Sequence, residues 1–102
     1  MKIPETIEEL FQYFKSKPSK LWITGHIKDG KKYCAIGWLK KDGFIGSNSK
    51  AEKPFLKLLK KAFNNKEITY INDGLDGNKR YGKTPKKRIL NFLREQIKKE
   101  KQ

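Results

Sequence analysis

Apolar residues recur at the spacing of an amphipathic helix in three segments of the chain. In the first segment, Thr6 and Glu9 match the capping-box pattern that starts a helix, and Pro18 lies where the helix must stop. We therefore predict a helix over residues 6–15. The core face of this first helix consists of Ile7, Leu10, Phe11 and Phe14.

The second apolar segment predicts a helix that starts near Ser49 and ends at Asn64-Asn65. Ser49 and Glu52 again match a capping box, and Pro54 falls in the first turn, where its missing N–H costs no helical hydrogen bond. The core face of this second helix consists of Phe55, Leu58, Leu59, Ala62 and Phe63.

The third helix is predicted to begin at Thr84-Pro85 and to continue toward the end of the chain. Thr is a favoured N-cap residue, and Pro fits the first helical position because its backbone angle is already helical. The core face of this third helix consists of Ile89, Leu90, Leu93 and Ile97.

A β-hairpin is predicted between the first two helices. Residues 21–27 and 32–39 are rich in β-branched and aromatic side chains, and they flank the turn of residues 28–31. That turn contains Asp29-Gly30, and Asp-Gly is a strong signal for a two-residue hairpin loop. With Asp29-Gly30 as the loop, the two strands pair antiparallel.

The predicted hairpin register pairs His26 with Tyr33 and sorts the side chains onto two faces. The expected core face consists of Leu21, Ile23, Ile27, Cys34, Ile36 and Trp38. The opposite face consists of Trp22, Thr24, His26 and Tyr33, beside the small residues Ala35 and Gly37. If this opposite face is open, its rings form a stacking platform for bases or a docking shelf for a peptide. The alternative is that another part of the fold covers it.

Weaker patterns predict strands at residues 44–45 and 67–71, and residues 72–82 are rich in turn-forming Gly and Asn. With the hairpin and a strand after Gly74, the chain has about five short antiparallel strands.

The chain also contains a faint internal repeat. The helix, strand and turn pattern of residues 10–33 recurs at residues 58–81. We therefore predict one α+β domain over residues 1–102 with about three helices, formed by two related helix-strand-turn-strand halves of about 1–50 and 51–102. A cleft is expected where the two halves meet.

The residue types that carry catalysis or bind metals are scarce. Cys34 is the single cysteine and His26 the single histidine, so no internal disulfide and no multi-thiolate or multi-histidine metal site is expected. The predicted register puts Cys34 and His26 on opposite faces, which disfavours a nucleophile-base pair. Cys34 is interpreted as a small buried residue, and His26 as a packed or surface side chain. We expect no catalytic residues, no metal, no cofactor and no enzyme activity.

The charge balance is strongly basic. Lys and Arg number 25 against 11 Asp and Glu, which gives a formal net charge of +14 and a field that attracts nucleic acid or acidic protein surfaces. Two helical stripes hold part of this charge. The second helix contributes Lys53, Lys57, Lys60 and Lys61, and the third contributes Lys87, Arg94, Lys98 and Lys101. The alternative is that both stripes are ordinary solvated helix faces.

No apolar stretch approaches the roughly 20 residues that a membrane-spanning helix needs, and the amino-terminal residues lack the pattern of a secretory signal. We therefore expect a protein that neither spans a membrane nor is exported.

Several short motifs carry a resemblance to known proteins. They are Trp22-Ile23-Thr24-Gly25, Gly30, Cys34-Ala35-Ile36-Gly37, Tyr70-Ile71-Asn72-Asp73 and Thr84 before an amphipathic helix. In these motifs residues 20–97 resemble a bacterial family of unknown function, although that family usually has Trp where Ile71 stands. The whole chain resembles a small protein of the Acidianus filamentous virus, a virus of heat-loving, acid-loving archaea. This resemblance implies a viral origin, expression in the host cytoplasm and heat tolerance.

Two functions follow as hypotheses. The first is a non-catalytic viral accessory module that binds a viral or host protein or peptide in the cleft between the halves. Its predicted partner-binding residues are Trp22, His26, Tyr33, Tyr70 and Tyr81. The second is sequence-indifferent binding of nucleic acid through the two basic stripes.

Overall fold

The structure is a computed structural model that describes residues 2–46 and 52–101. These residues form an α+β domain with five α-helices and one two-stranded antiparallel sheet. The elements in chain order are α1 (Ile7–Lys15), a 3-10 turn (Ser19–Leu21), β1 (Lys28–Asp29), β2 (Lys32–Tyr33), α2 (Ala35–Lys41), α3 (Glu52–Ala62), α4 (Ile68–Asp73), a second 3-10 turn (Asn78–Tyr81) and α5 (Pro85–Glu100). Among the described helices, none is long and apolar enough to cross a membrane.

The three helices predicted from periodicity are present as α1, α3 and α5, and their ends are set by local caps. The Thr6 hydroxyl accepts a hydrogen bond from the Glu9 backbone N–H at 3.1 Å, and the Thr84 hydroxyl accepts one from Lys87 N–H at 3.2 Å. Asn64 and Asn65 follow α3 with left-handed φ angles of 51° and 60°. The predicted cap Ser49 lies outside the described residues.

The core is aromatic and lies where α1, α2, α3 and α5 meet. Phe14, Phe44, Phe55, Phe63 and Phe92 are almost fully buried, and the rings of Phe63 and Phe92 stack 5.7 Å apart. The face that α5 turns inward is rotated from the predicted one. It consists of Arg88, Ile89, Phe92, Leu93 and Gln96, while Leu90 and Ile97 are only partly buried.

The predicted strands are mostly wrong. Residues 35–41 and 68–73 are helices α2 and α4, and residues 44–45 form no strand. At Cys34 the backbone is extended, and its Sγ accepts a hydrogen bond from Gly37 N–H at 3.4 Å, which starts α2 immediately after the hairpin. Packing therefore overrides the β-propensity of the β-branched residues in both segments. The domain has five helices rather than three.

The hairpin exists, but its register differs from the predicted one. Lys28 pairs with Tyr33 and Asp29 with Lys32, so the two-residue loop is Gly30-Lys31 instead of Asp29-Gly30. Gly30 has a φ of +62°, which is typical of glycine at the first position of a two-residue hairpin loop. The pairing of His26 with Tyr33 was therefore wrong.

The predicted sorting of hairpin faces also fails, and the internal repeat is not confirmed. Ile27, predicted for the core face, is 49% exposed, whereas Trp22 is buried at 6% exposure, as the alternative of a covered face predicts. Residues 23–24 lie outside any helix, while residues 68–69, their proposed counterparts, begin α4. The hairpin turn likewise has a 3-10 turn as its counterpart in the second half.

One buried side chain, Asn72 at the end of α4, connects four parts of the chain. Its Oδ1 accepts a hydrogen bond from Ala35 N–H at 3.1 Å, and its Nδ2 donates to Ile23 C=O at 3.0 Å. Its own backbone carbonyl accepts two hydrogen bonds from the Arg88 guanidinium, at 2.9 and 2.8 Å. The neighbouring Asp73 carboxylate accepts from Gly25 N–H at 3.1 Å. Asn72 is fully buried, so each of these contacts replaces a lost contact with water.

A second polar cluster fixes α1 against α2. Lys17 Nζ lies 2.7 Å from Asp42 Oδ2 and 4.6 Å from the centre of the Tyr13 ring. The Tyr13 hydroxyl lies 2.6 Å from Asp42 Oδ2 and 2.8 Å from the Trp38 carbonyl. Burial alone would raise the pKa of Asp42, but hydrogen bonds from Lys17 and Tyr13 outweigh it and hold that pKa below its ordinary value. Burial, together with the Asp42 contact, raises the pKa of Tyr13.

We expect Asn72→Ala to lower the free energy of unfolding by about 2–4 kcal/mol, because it leaves the buried Ala35 N–H and Ile23 C=O without a partner, at about 1–3 kcal/mol each. The measurement is a urea unfolding curve followed by circular dichroism. Asn78→Ala is the control, since the Asn78 side chain is also buried but bonds only to Leu75 three residues away, and about 1 kcal/mol is expected. Equal losses in the two variants would contradict the connecting role of Asn72.

We expect the stabilisation from Asp42 to disappear in acid. Because its folded pKa is lowered, the contribution is complete above the unfolded value of 3.8 and is lost as the pH falls through the folded pKa. Asp42→Asn should therefore cost about 2 kcal/mol at pH 7 and much less near pH 2. Urea midpoints of both proteins at the two pH values measure this, with exposed Asp76→Asn as the charge-matched control. A loss that is the same at both pH values would exclude the carboxylate as its cause.

Candidate nucleic-acid interface

The five aromatic and imidazole residues predicted to bind a partner do not form one open face. Trp22 and Tyr81 are buried at 6% and 7% exposure, Tyr33 is partly buried, and His26 and Tyr70 are exposed. Trp22 and Tyr33 do come together, since they form a parallel bridge, and both rings pack near Trp38. Their stacking surface is thus used within the fold.

Cys34 and His26 are not a reactive pair. Cys34 is buried, as predicted, and its sulfur caps α2 through the contact with Gly37 N–H, whereas His26 is exposed in the loop before β1. In the part of the chain that the structure describes, no group of three or more His, Cys, Asp or Glu side chains is placed to hold a metal ion.

The basic stripe predicted on the second helix lies on the exposed face of α3. Lys53, Lys57, Lys60 and Lys61 are all exposed, but Lys61 Nζ lies 2.9 Å from the Glu100 carboxylate of α5. The charge of Lys61 is therefore partly neutralised where the ends of α3 and α5 approach each other.

The stripe predicted on the third helix lies on the outer face of α5, opposite the core. Lys87, Arg94, Lys98 and Lys101 are all exposed. Lys101 Nζ forms an ion pair with Glu8 at 3.3 Å, which removes it from the free charge of this surface. Among the described residues, Lys87, Arg94 and Lys98 form no ion pair.

Two other cations at the start of α5 serve the fold. Lys86 Nζ donates to the carbonyls of Lys15 and Lys17, at 2.9 and 2.6 Å, and so holds the end of α1. Arg88 donates to Asn72 on the other side. Burial lowers the pKa of both Lys86 and Arg88, although both stay charged at neutral pH. The amino-terminal part of α5 is thus anchored on two sides.

Hydrogen bonds connect both exposed arginines to Tyr81, Arg94 through Asn91 and the Tyr81 carbonyl, and Arg80 through the Tyr81 hydroxyl. Arg94 Nη1 donates to Asn91 Oδ1 at 2.8 Å, and Asn91 Nδ2 donates to the Tyr81 carbonyl at 2.6 Å. Arg80 Nη2 donates to the Tyr81 hydroxyl at 2.7 Å. The Arg80 guanidinium also lies 4.8 Å from the Tyr81 ring centre, and that of Arg94 lies 5.2 Å from the Phe11 ring.

We call this surface the basic face and define it as Arg80, Lys87, Asn91, Arg94 and Lys98. From Lys87 to Lys98 it runs about 16 Å along the helix, at 1.5 Å per residue. Each arginine is stacked on a ring, so its guanidinium is positioned in advance and keeps further N–H groups free to face solvent. Such groups bind phosphate oxygens in pairs.

Lys87, Arg94 and Lys98 were predicted from the sequence, whereas Arg80 and Asn91 were not. The helical period reveals which residues share a face of α5, because that depends only on spacing. It does not reveal that the 3-10 turn at Asn78–Tyr81 packs beside that face, since this contact depends on the hydrogen bond from Asn91 to the Tyr81 carbonyl.

The residues that carry the bacterial resemblance converge on Asn72. Ile23, Gly25, Ala35 and Asp73 all contribute to the hydrogen bonds around it, and Thr84 caps the helix that bears Arg88. Gly37 belongs to the same motifs, and a Cβ there would lie 2.0 Å from the Ile27 carbonyl oxygen. These particular residues of the motifs therefore have roles in the fold.

Comparison with known proteins adds no relative. Neither a scan of protein-family models nor searches of the curated proteins and of the solved structures found a match to this chain. The resemblance to a bacterial family and to a viral protein therefore stays a prediction, and the function has to be argued from the surface of the molecule.

Proposed function

We propose that this protein is a non-catalytic module that binds the phosphate backbone of nucleic acid through its basic face, without reading the base sequence. The observation that carries the proposal is the pair of exposed arginines that both connect to Tyr81, Arg80 and Arg94, together with the exposed Lys87 and Lys98 on the outer face of α5. None of these four cations has a carboxylate partner among the described residues.

Two properties favour phosphate binding: the net positive charge of the molecule and the restricted side chains of the two arginines. A net charge of +14 draws a polyanion toward the molecule from a distance, and neutralising phosphates releases their counterions. Most exposed lysines lose side-chain entropy when they bind. The two arginines lose less, because ring stacking and hydrogen bonds already hold them.

Sequence-indifferent binding fits the residue types. Of the 25 cations only Arg80, Arg88 and Arg94 are arginine, and Arg88 is committed to the fold. Two exposed arginines and several lysines are enough to grip phosphates, whereas reading bases relies on more forked donors placed in a groove.

Protein binding is a second hypothesis, but two of the residues predicted to bind the partner do not lie at the surface. Trp22 and Tyr81 are buried, so neither is available to a peptide at the surface. The proposed biological setting is that of a viral accessory protein in the host cytoplasm, as the resemblance to a viral protein implies. There the accessible polyanions are viral and host nucleic acids.

We expect the double substitution Arg80→Gln and Arg94→Gln to weaken binding to a fluorescent 20-base-pair duplex about tenfold or more at 50 mM salt. The slope of log affinity against log salt should shrink by about two, since each lost phosphate contact removes about 0.9. Fluorescence anisotropy at several salt concentrations measures both quantities, and a single-stranded oligonucleotide and a scrambled duplex should show the same pattern.

The charge-matched control is Lys53→Gln with Lys57→Gln on α3, which lowers the net charge by the same amount. We expect it to weaken binding by less than about threefold, the effect of the general field alone. Equal losses in the two double variants would exclude the basic face as the site. No binding of the unaltered protein at 50 mM salt would exclude the function itself, and melting curves check that both variants are folded.

A further inference from the structure

A second surface of the molecule is apolar and lies where α2, α3 and α4 meet. It forms a groove of about 390 Å³, a volume within the range of about 300–1,000 Å³ that is common for binding sites. Its apolar lining consists of Ile36, Ile45, Leu56, Leu59 and Ile68. We refer to it as the apolar groove.

Leu56 is the groove residue that differs most from its exposed neighbours on α3. Its side chain is 39% exposed, on a helix whose other exposed positions are mainly lysines. Its neighbours on the helix surface, three residues before and four after, are Lys53 and Lys60, both exposed. Leu56 therefore adds little to the core and presents an apolar group beside two exposed lysines.

The polar rim of the groove is predominantly basic. Among the lining residues that the structure describes, it contains Lys60 and Lys66 and one carboxylate, that of Glu67. Lys66 Nζ also lies 5.5 Å from the centre of the Phe92 ring, which is a cation-π contact with α5. A ligand with apolar groups in the groove and carboxylates at its edges would complement both features.

The walls of the groove determine the form of the ligand. They come mainly from helices, and beyond the first turn the backbone N–H groups of a helix are bonded within it. An extended peptide would thus find few backbone partners there, whereas a helix satisfies its own backbone and needs only a side-chain stripe.

Charge also decides between a foreign helix and a second copy of this chain. Two molecules that each carry +14 repel each other, and the lysines around Leu56 would face one another across such an interface. A partner with acidic side chains would instead be attracted to these lysines.

We propose that the apolar groove binds a short amphipathic helix of a partner protein, one whose apolar stripe is flanked by Asp and Glu. Leu56 and Ile68 contact the stripe, and Lys60 and Lys66 pair with the flanking carboxylates. This site is separate from the basic face and involves none of its residues.

The test is an NMR titration of the ¹⁵N-labelled protein with a synthetic 16-residue helical peptide that has leucines along one face and glutamates on both flanks. Saturable shifts are expected at Leu56, Lys60, Lys66 and Ile68. A matched peptide with lysines in place of the glutamates should bind at least tenfold more weakly. Leu56→Gln should also weaken binding about tenfold, while Leu75→Gln, at a leucine that is 47% exposed outside the groove, should not.

Several results would overturn the proposal. They are equal binding of the two peptides, shifts confined to the basic face, and shifts in the groove on protein dilution alone, which would identify a second copy as the occupant. Shifts in the groove on addition of an oligonucleotide would identify nucleic acid instead. The variant with Arg80→Gln and Arg94→Gln should bind the peptide normally, so that failure of this proposal and failure of nucleic-acid binding are distinguishable.

Discussion

The arrangement of this fold depends on how the buried end of α4 satisfies its polar groups. Asn72 has no access to water, and its side chain and carbonyl receive their partners from Ile23, Ala35 and Arg88. Each of these residues lies in a different segment, so the loop before the hairpin, the start of α2 and the start of α5 can all be satisfied only when they meet at one point. The two strands of the hairpin are too short to hold the other elements in place. The hydrogen bonds around Asn72 do this instead.

This dependence explains which parts of the structure follow from the sequence. Helices α1, α3 and α5 are predictable because each has a regular apolar period, and α1 and α5 also begin at a recognisable cap, Thr6 and Thr84. Helices α2 and α4 are not, because they are short and contain strand-favouring residues. Their helical state depends on the cap at Cys34 and on the contacts of Asn72, which exist only in the folded chain. The predicted hairpin register was wrong because Gly30 fits either position of a two-residue loop, so the turn sequence alone does not determine which residues pair.

The residues of the candidate site also fall into two groups, those that the sequence predicts and those that it does not. The cations of α5 that face solvent follow from helical spacing, but the link from Arg94 through Asn91 to Tyr81 and Arg80 joins separate elements and leaves no periodic signal. The same helix uses Lys86 and Arg88 to hold α1 and α4. The same helix therefore both contacts α1 and α4 and carries the exposed cations, so its basic face is held in place relative to the core.

Trp22 and Trp38, the two tryptophans of the chain, lie close together in the amino-terminal half, with ring centres 6.3 Å apart. Their fluorescence therefore reports mainly on the loop before the hairpin and on α2. A probe of total helix content weighs α5 most heavily, because it is the longest helix described. Comparing the two signals during denaturation would show whether the network around Asn72 makes both halves melt as a single cooperative unit.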